Sequence, residues 1–411
     1  MLSVPTWAAT QPAAESAPVA KTSSAATTAT TAAQSANALQ ESDGKDIIAR
    51  DPKPDTGNAE HDALLIERRQ QQRMVLHLRA KRDSELNRLS LARLAASRGG
   101  DPTFNEKKNQ AMLEQMRGLQ ADYDRQLDAK HEALKALFAG LDTPAIEVFA
   151  SAPQHYRMRA EFRIWHEDDT ICYAMFSPGQ KASSATLQRV EQFAPACEAI
   201  NALMPRLLAA ASAVPVLQRR WYQVEFLATL SGEMLVTMVY HRPLDDAWEA
   251  AAHQLQTALG IHIIGRSRGQ KRVLSQDFVT ERLEIPGPAG TPPAPFLYRQ
   301  PEGAFTQPNA RMCERMIGWA CEAVQQASIS PASDLLELYC GNGNFTLPLS
   351  RHFRQVLATE VSKTSVQAAQ WNIQANGTDN IAITRLSAEE FTEAYAGARN
   401  FQRLTAQGIR L

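Results

Sequence analysis

"LLELYCGNGNF", residues 335–345, decides the fold. An apolar run ends in Tyr339 and Cys340 and gives way to two glycines one residue apart, Gly341 and Gly343. Apolar residues bounded by such a turn read as a buried strand, and the residues near 345–352 read as a helix. Glycines at this turn let backbone approach a ligand where a Cβ would collide. The next apolar run, "QVLATE" (355–360), closes on Glu360. An acid there accepts the hydroxyls of a ribose in a parallel sheet. The pair reads as a nucleoside site at the carboxyl ends of two strands, with a tight turn that holds nothing as the bland alternative.

Outward from this stretch, strands and helices alternate. "PNARMCERMIGWACEAVQQA" (308–327) reads as a helix with proline in its first turn. "DLLELY" (334–339), "QVLATE" (355–360) and "IAITRL" (381–386) read as strands, with a helix near 363–375. That order predicts βαβ units and a parallel sheet. A dinucleotide fingerprint would place a third glycine after Gly343, but Phe345 and Thr346 stand there. A GxG loop of this kind suits S-adenosylmethionine, which has no pyrophosphate to cradle.

The preceding region has a different period. "HYRMRAEFRIWH" (155–166) alternates strictly: Tyr156, Met158, Ala160, Phe162 and Ile164 face one way, and Arg157, Arg159, Glu161, Arg163 and Trp165 the other. "AIEVFASAP" (145–153) reads as the start of this strand-like region. "YQVEFLATL" (222–230) and "EMLVTMVYH" (233–241) form a hairpin around Ser231-Gly232, with a helix near 245–258 and a strand at 261–266. Mostly antiparallel strands with helices to one side predict an α+β domain. A helix at 113–139 precedes it. Residues 22–38, "TSSAATTATTAAQSANA", hold no large apolar residue to bury, so a disordered tail is expected over 1–58. Residues 62–99 are rich in arginine and leucine, either a solvated basic helix or an arm that tracks phosphates.

Composition excludes more than it identifies. Lys and Arg total 43 against 44 Asp and Glu, so net charge points to no partner. Five scattered cysteines, Cys172, Cys197, Cys313, Cys321 and Cys340, form neither a disulfide framework nor a CxxC metal site. Cys172, Cys313, Cys321 and Cys340 are expected as small apolar fillers. A reduced cytoplasm and no spanning helix are expected.

"HYRMRAEFRIWH", "FTQPN" (305–309), "LLELYCGNGNF" and "VLATE" (356–360), in this order, closely resemble the tRNA/tmRNA (uracil-C(5))-methyltransferase family over about 121–411. The resemblance implies methylation of C5 of the T-loop uridine, position 54 of tRNA, and of its counterpart in tmRNA. It implies S-adenosylmethionine as cofactor, held by Gln307, Tyr339, Asn344 and Glu360. It implies RNA contacts at Arg159, Arg163, Tyr222 and His241, the family commonly having phenylalanine at the position of Tyr222. A second basic cluster, Arg266, Arg268, Lys271 and Arg272, is a further candidate. The expected fold class is therefore α/β and α+β. A disordered tail (1–58) and a basic helical extension (59–115) precede an antiparallel α+β RNA-recognition domain (116–300). The N-terminal half of a Rossmann-like methyltransferase domain (301–411) follows. A monomer without membrane or metal cluster is expected. Ribosomal RNA uracil methyltransferases with a cysteine-bound cluster fit less well, since no clustered cysteines occur.

The family reaction is covalent. A cysteine thiolate adds to uracil C6, C5 takes the methyl group, and a base removes the C5 proton. The family carries the thiolate in "CNP", a glutamate base near the C-terminus and a "DPPR" word. None of these occurs before the last residues, "FQRLTAQGIRL" (401–411). The expectation is a C-terminally truncated, inactive chain with no catalytic residue. The alternative is a non-catalytic tRNA-binding or folding protein.

Overall fold

The computed structural model describes residues 102–399 and 402, apart from 169, 178, 180, 287–291 and 331. The expected tail over 1–58 and the basic segment at 62–99 lie outside the described residues. Two compact units divide the chain, Met1–Ala111 and Met112–Leu411. The described sheets all belong to the second. Helix α1 (Pro102–Leu137) begins earlier than its apolar pattern suggests, at a proline suited to a first helical turn.

A seven-stranded sheet fills the region after it. In chain order its elements are β1 (Arg159–Glu167), β2 (Thr170–Phe176), β3 (Leu187–Arg189), helices α2 (Glu198–Ser212) and α3 (Pro215–Gln218), β4 (Trp221–Ala228), β5 (Met234–Tyr240), α4 (Asp246–Leu259), β6 (His262–Ser267) and β7 (Gln270–Val273). The strand order is β3-β2-β1-β4-β5-β6-β7. Every neighbouring pair is antiparallel except β5–β6, which α4 connects as a crossover. The alternation at 155–166 is realised. Met158, Ala160, Phe162 and Ile164 are buried in one core with Ile200, Leu203, Met204 and Leu207 of α2. The Tyr173 hydroxyl donates to the Met204 carbonyl at 2.8 Å, which satisfies a fully buried phenol. The predicted hairpin forms, with Gly232 at φ 97° in its turn. Helix α4 is capped by the Asp245 side chain and closed by left-handed Gly260. Its Trp248 is fully buried over Gly265 of β6.

Residues 145–153 form no strand. They run along the next long helix, tied by Arg315 to the Ala150 carbonyl and by Trp319 to Glu147. Tyr123 accepts from the Ser151 amide. Side chains thus take the place of a strand ladder.

The hairpin β8 (Phe278–Ile285) and β9 (Ala294–Pro301) leads to α5 (Ala310–Gln326). Pro308 lies just outside α5, and Asn309 caps it by accepting from Met312. Then come β10 (Asp334–Leu338), α6 (Thr346–Leu349), β11 (Gln355–Thr359), α7 (Lys363–Ala375), β12 (Ile381–Thr384) and α8 (Ala388–Tyr395). The three strands are parallel in the order β10-β11-β12, as the alternation predicted. The helix expected at 345–352 is one α-turn followed by a 3-10 turn, Ser350–His352. Ser350 Oγ donates to the Leu347 carbonyl there, a local bond that competes with helix continuation.

β9 joins the two regions. Asn376 of α7 both accepts from the Leu297 amide and donates to the Leu297 carbonyl. Asn372 accepts from the Arg299 amide at 2.7 Å and donates to the Asn342 carbonyl. Asparagine side chains thereby serve the free edge of a strand. The Arg299 guanidinium lies over the rings of Phe278 and Trp371.

Candidate functional site

The β10 turn opens into a cavity of about 120 Å³ lined by Phe305, Gln307, Cys313, Glu337, Tyr339 and Asn344 among others. Tyr339 ends the strand in a left-handed conformation, φ 58°, with its side chain largely exposed. A non-glycine residue there stores strain of about 1–3 kcal/mol, a recurrent mark of functional turns. Gly341 follows at φ 60°, and a Cβ built on it would project into open space. Glu360 accepts from the Gly341 amide at 3.0 Å and from the Ser362 amide at 2.8 Å, so one carboxylate fixes the loop. A carboxylate has about four lone-pair sites, so acceptor capacity remains. Asn344 meets the Cys313 thiol at 3.1 Å through its Nδ2, and its carbonyl accepts from the Tyr298 hydroxyl.

Glu337 is a lining residue that sequence reading missed. Burial pushes its carboxyl up to about 7, and its Oε2 is buried without a hydrogen-bond partner among the described residues. Its only sequence signal was a charge inside an otherwise apolar strand. Phe305, also missed, is 76% exposed at the rim. The residues fit S-adenosylmethionine. The open glycine loop and the buried Glu337 carboxyl line one cavity, and Glu360, tethered behind Gly341, keeps lone pairs for a hydroxyl donor.

The cavity's thiols are walls. Burial raises Cys313 to about 11 and lifts Cys340 further, with the charges of Glu337 and Glu360 adding to the rise at Cys340. Cys197 and Cys321 are buried, and Cys172 is half-buried beside Arg189. Burial raises all three. A nucleophilic cysteine needs the opposite setting. Among the described residues no cluster of His, Cys, Asp or Glu could hold a metal ion, and no helix is long and apolar enough to cross a membrane.

The second candidate surface lies on β1 and β4. A bulge between Trp221 and Gln223 takes Tyr222 out of register, and bulges re-aim side chains. The Tyr222 ring stacks on His241, centroids 3.6 Å apart, and the Arg163 guanidinium lies 3.6 Å from the same ring. Two groups this close cannot share one face, so Tyr222 is the middle of a three-layer column. Arg159 points elsewhere: it donates to the Ala304 carbonyl at 2.8 Å and lies 4.0 Å from Glu225.

The second basic cluster is mostly paired internally. Arg266 bonds Glu302 twice, at 2.5 and 2.6 Å. Lys271 bonds Asp277 and Glu302, and Arg272 bonds Glu249 and Asp246. Burial alone would raise the Glu302 carboxyl, but the bonds from Arg266 and the charges of Arg266 and Lys271 outweigh it and hold it low. These cations are clamps first. Their partners lie 6 to 36 residues away in sequence, beyond the reach of a pattern reading.

Residues 122–411 match the family described as tRNA (Uracil-5-)-methyltransferase. Over 290 residues the chain is 61% identical to the tRNA/tmRNA (uracil-C(5))-methyltransferase of Neisseria meningitidis serogroup B, covering 71% of this chain and 77% of that one. The protein of the same description from Acinetobacter baylyi is 53% identical over 287 residues, 70% of this chain and 77% of that one. Among solved structures, the Pyrococcus abyssi tRNA (uracil-54, C5)-methyltransferase in complex with S-adenosyl-L-homocysteine aligns at 16% identity over 64% of this chain and 63% of that one, TM-score 0.45. The cavity and the stacked column thus lie within a stretch matched at high identity, and the chain belongs to the tRNA (uracil-5-)-methyltransferase family of S-adenosylmethionine-dependent RNA-modifying enzymes.

Proposed function

We propose that this polypeptide binds S-adenosylmethionine in the β10 cavity and the T-loop of tRNA or tmRNA on the Arg163–Tyr222–His241 column, so that the uridine at position 54 is the family's target base. The observation that carries the reading is the Glu360 tether on Gly341, which shapes an open cradle beside a carboxylate. The cofactor would supply an electrophilic methyl group. Glu360 would hold its ribose, and Gln307, Asn344 and Tyr339 would orient its amino-acid end. The column would present an aromatic face to splayed loop bases and a guanidinium to the backbone.

Uracil C5 becomes nucleophilic only after a thiolate adds to C6. Every cysteine here has its thiol held protonated by burial. None of these five thiols is therefore proposed as the nucleophile, and a tRNA-binding protein without chemistry is the second reading, which their burial favours. Calorimetry with S-adenosylhomocysteine should show saturable binding that Glu360→Ala weakens at least about tenfold, since hydrogen bonds to a charged group contribute about 1.5–3 kcal/mol. Tritiated-methyl transfer to unmodified tRNA should stay at background. Turnover that survives Cys340→Ala would mean the chemistry lies on other residues, and turnover lost with that change would make Cys340 the nucleophile.

A further inference from the structure

We infer that Arg159 is a positioning residue that holds the cofactor-cavity loop, and that it does not contact RNA phosphate. The inference rests on the cofactor reading of the cavity but on separate contacts. The segment from Glu302 to Asn309 leaves β9 and enters α5, and its middle, Phe305, Thr306 and Gln307, lines the cavity. That middle is pinned on both sides by the start of β1. The Arg159 guanidinium holds the Ala304 carbonyl at 2.8 Å, and the Met158 amide donates to the Pro308 carbonyl at 2.7 Å. Three residues arch between the two anchors. Upstream, Glu302 is fixed to the seven-stranded sheet by Arg266 and Lys271. Its carboxylate is 5% exposed, so the clamp is desolvated on the acid side.

Arg159 is poorly placed for an outside phosphate. Its side chain is 29% exposed, and its Nη2 already faces Glu225 at 4.0 Å. Arg163, also half-buried, differs in its partner: its guanidinium lies over an aromatic ring, and among the described residues no carboxylate is paired with it. The two arginines are four residues apart on one strand, hence on the same face and about 13 Å apart along it. One strand therefore carries the RNA-facing column near its middle and the loop anchor at its start. A shift of β1 on RNA binding would reach Gln307 directly through Ala304.

The test uses the full 411-residue chain and three proteins: wild type, Arg159→Ala and Arg163→Ala. Two ligands are titrated, S-adenosylhomocysteine and a T-arm hairpin RNA at several salt concentrations. Arg159→Ala should weaken S-adenosylhomocysteine binding by up to about tenfold, because a loop released from its anchor must be re-ordered when the ligand binds, and leave the RNA salt slope unchanged. Arg163→Ala should leave S-adenosylhomocysteine binding unchanged and lower the slope by about one phosphate's worth. Arg159→Lys, which keeps one donor to Ala304, should recover part of the loss. Hydrogen exchange supplies a readout independent of ligands: amides of 303–307 should exchange faster in Arg159→Ala, while those of β10 do not change. A reduced salt slope in Arg159→Ala, or unchanged exchange at 303–307, would overturn the inference. If wild type binds no S-adenosylhomocysteine, the cofactor reading fails, and the exchange measurement still decides the anchor.

Discussion

Replacing Tyr222 probes the stacked column most directly. The ring has Arg163 on one face and His241 on the other, each at 3.6 Å. Tyr222→Ala removes the middle layer and leaves both outer groups without a platform. Base–aromatic stacking contributes about 1–3 kcal/mol per base, so T-arm affinity should fall about 5- to 150-fold. Tyr222→Phe keeps the ring and both stacking partners, and should stay within about threefold of wild type. His241→Ala should cost about 0.5–1.5 kcal/mol, the range for an aromatic pair. The double variant Tyr222→Ala with His241→Ala should lose less than the sum, because each ring supports the other. Fluorescence anisotropy with a labelled T-arm hairpin at fixed salt measures all four. Wild-type affinity in Tyr222→Ala would refute the column as the RNA platform. A Tyr222→Phe variant as weak as the alanine variant would transfer the role from the ring to the hydroxyl.

Two stability predictions follow from buried groups. Glu281, 1% exposed, accepts from the amides of Leu230 and Arg282; burial and the nearby Glu314 charge raise its carboxyl to about 7, against the pull of those amides and Arg311. Its ordinary value is about 4.3, so between pH 4.3 and 7 the folded state holds a proton that the unfolded chain has released. Stability should therefore fall as pH rises through this window, by up to about 4 kcal/mol for this group. Glu337 contributes a second slope of the same sign, so urea midpoints of Glu281→Gln should flatten by roughly half; an unchanged slope would mean Glu281 is ionised in the fold. Gly265→Ala would place a Cβ 2.2 Å from the Trp248 ring and 2.7 Å from Leu244. Overpacking of this kind costs about 1–3 kcal/mol, and a melting temperature equal to wild type would show that Trp248 has room to move.

Legibility followed the range of the forces involved. The β4–β5 hairpin and the buried face of β1 were readable because alternation and a glycine turn act within a few residues. The glycine loop and Glu360 were readable because a parallel sheet puts them at adjacent strand ends. The β8–β9 hairpin was not, since Pro286, Pro288, Pro292 and Pro293 crowd the connection and imitate a loop. The apolar run at 145–153 imitated a strand, but its backbone is met by side chains from α1 and α5. The Arg266 and Lys271 pairing with Glu302 was invisible because it depends on a contact that only the tertiary fold creates.

The parallel step between β5 and β6 has a consequence for how the sheet assembles. Antiparallel neighbours such as β4 and β5 can zip as soon as their turn closes. β6 cannot join β5 until the intervening helix α4 has formed and swung across the sheet. The Trp248 ring must also seat over Gly265 before the edge is in register. β6 and β7 should therefore be late arrivals on the folding pathway, behind the loop-closure entropy of a crossover. The Arg266–Glu302 clamp can form only after that arrival. The cavity loop would then be secured last, when the sheet that anchors it is already complete.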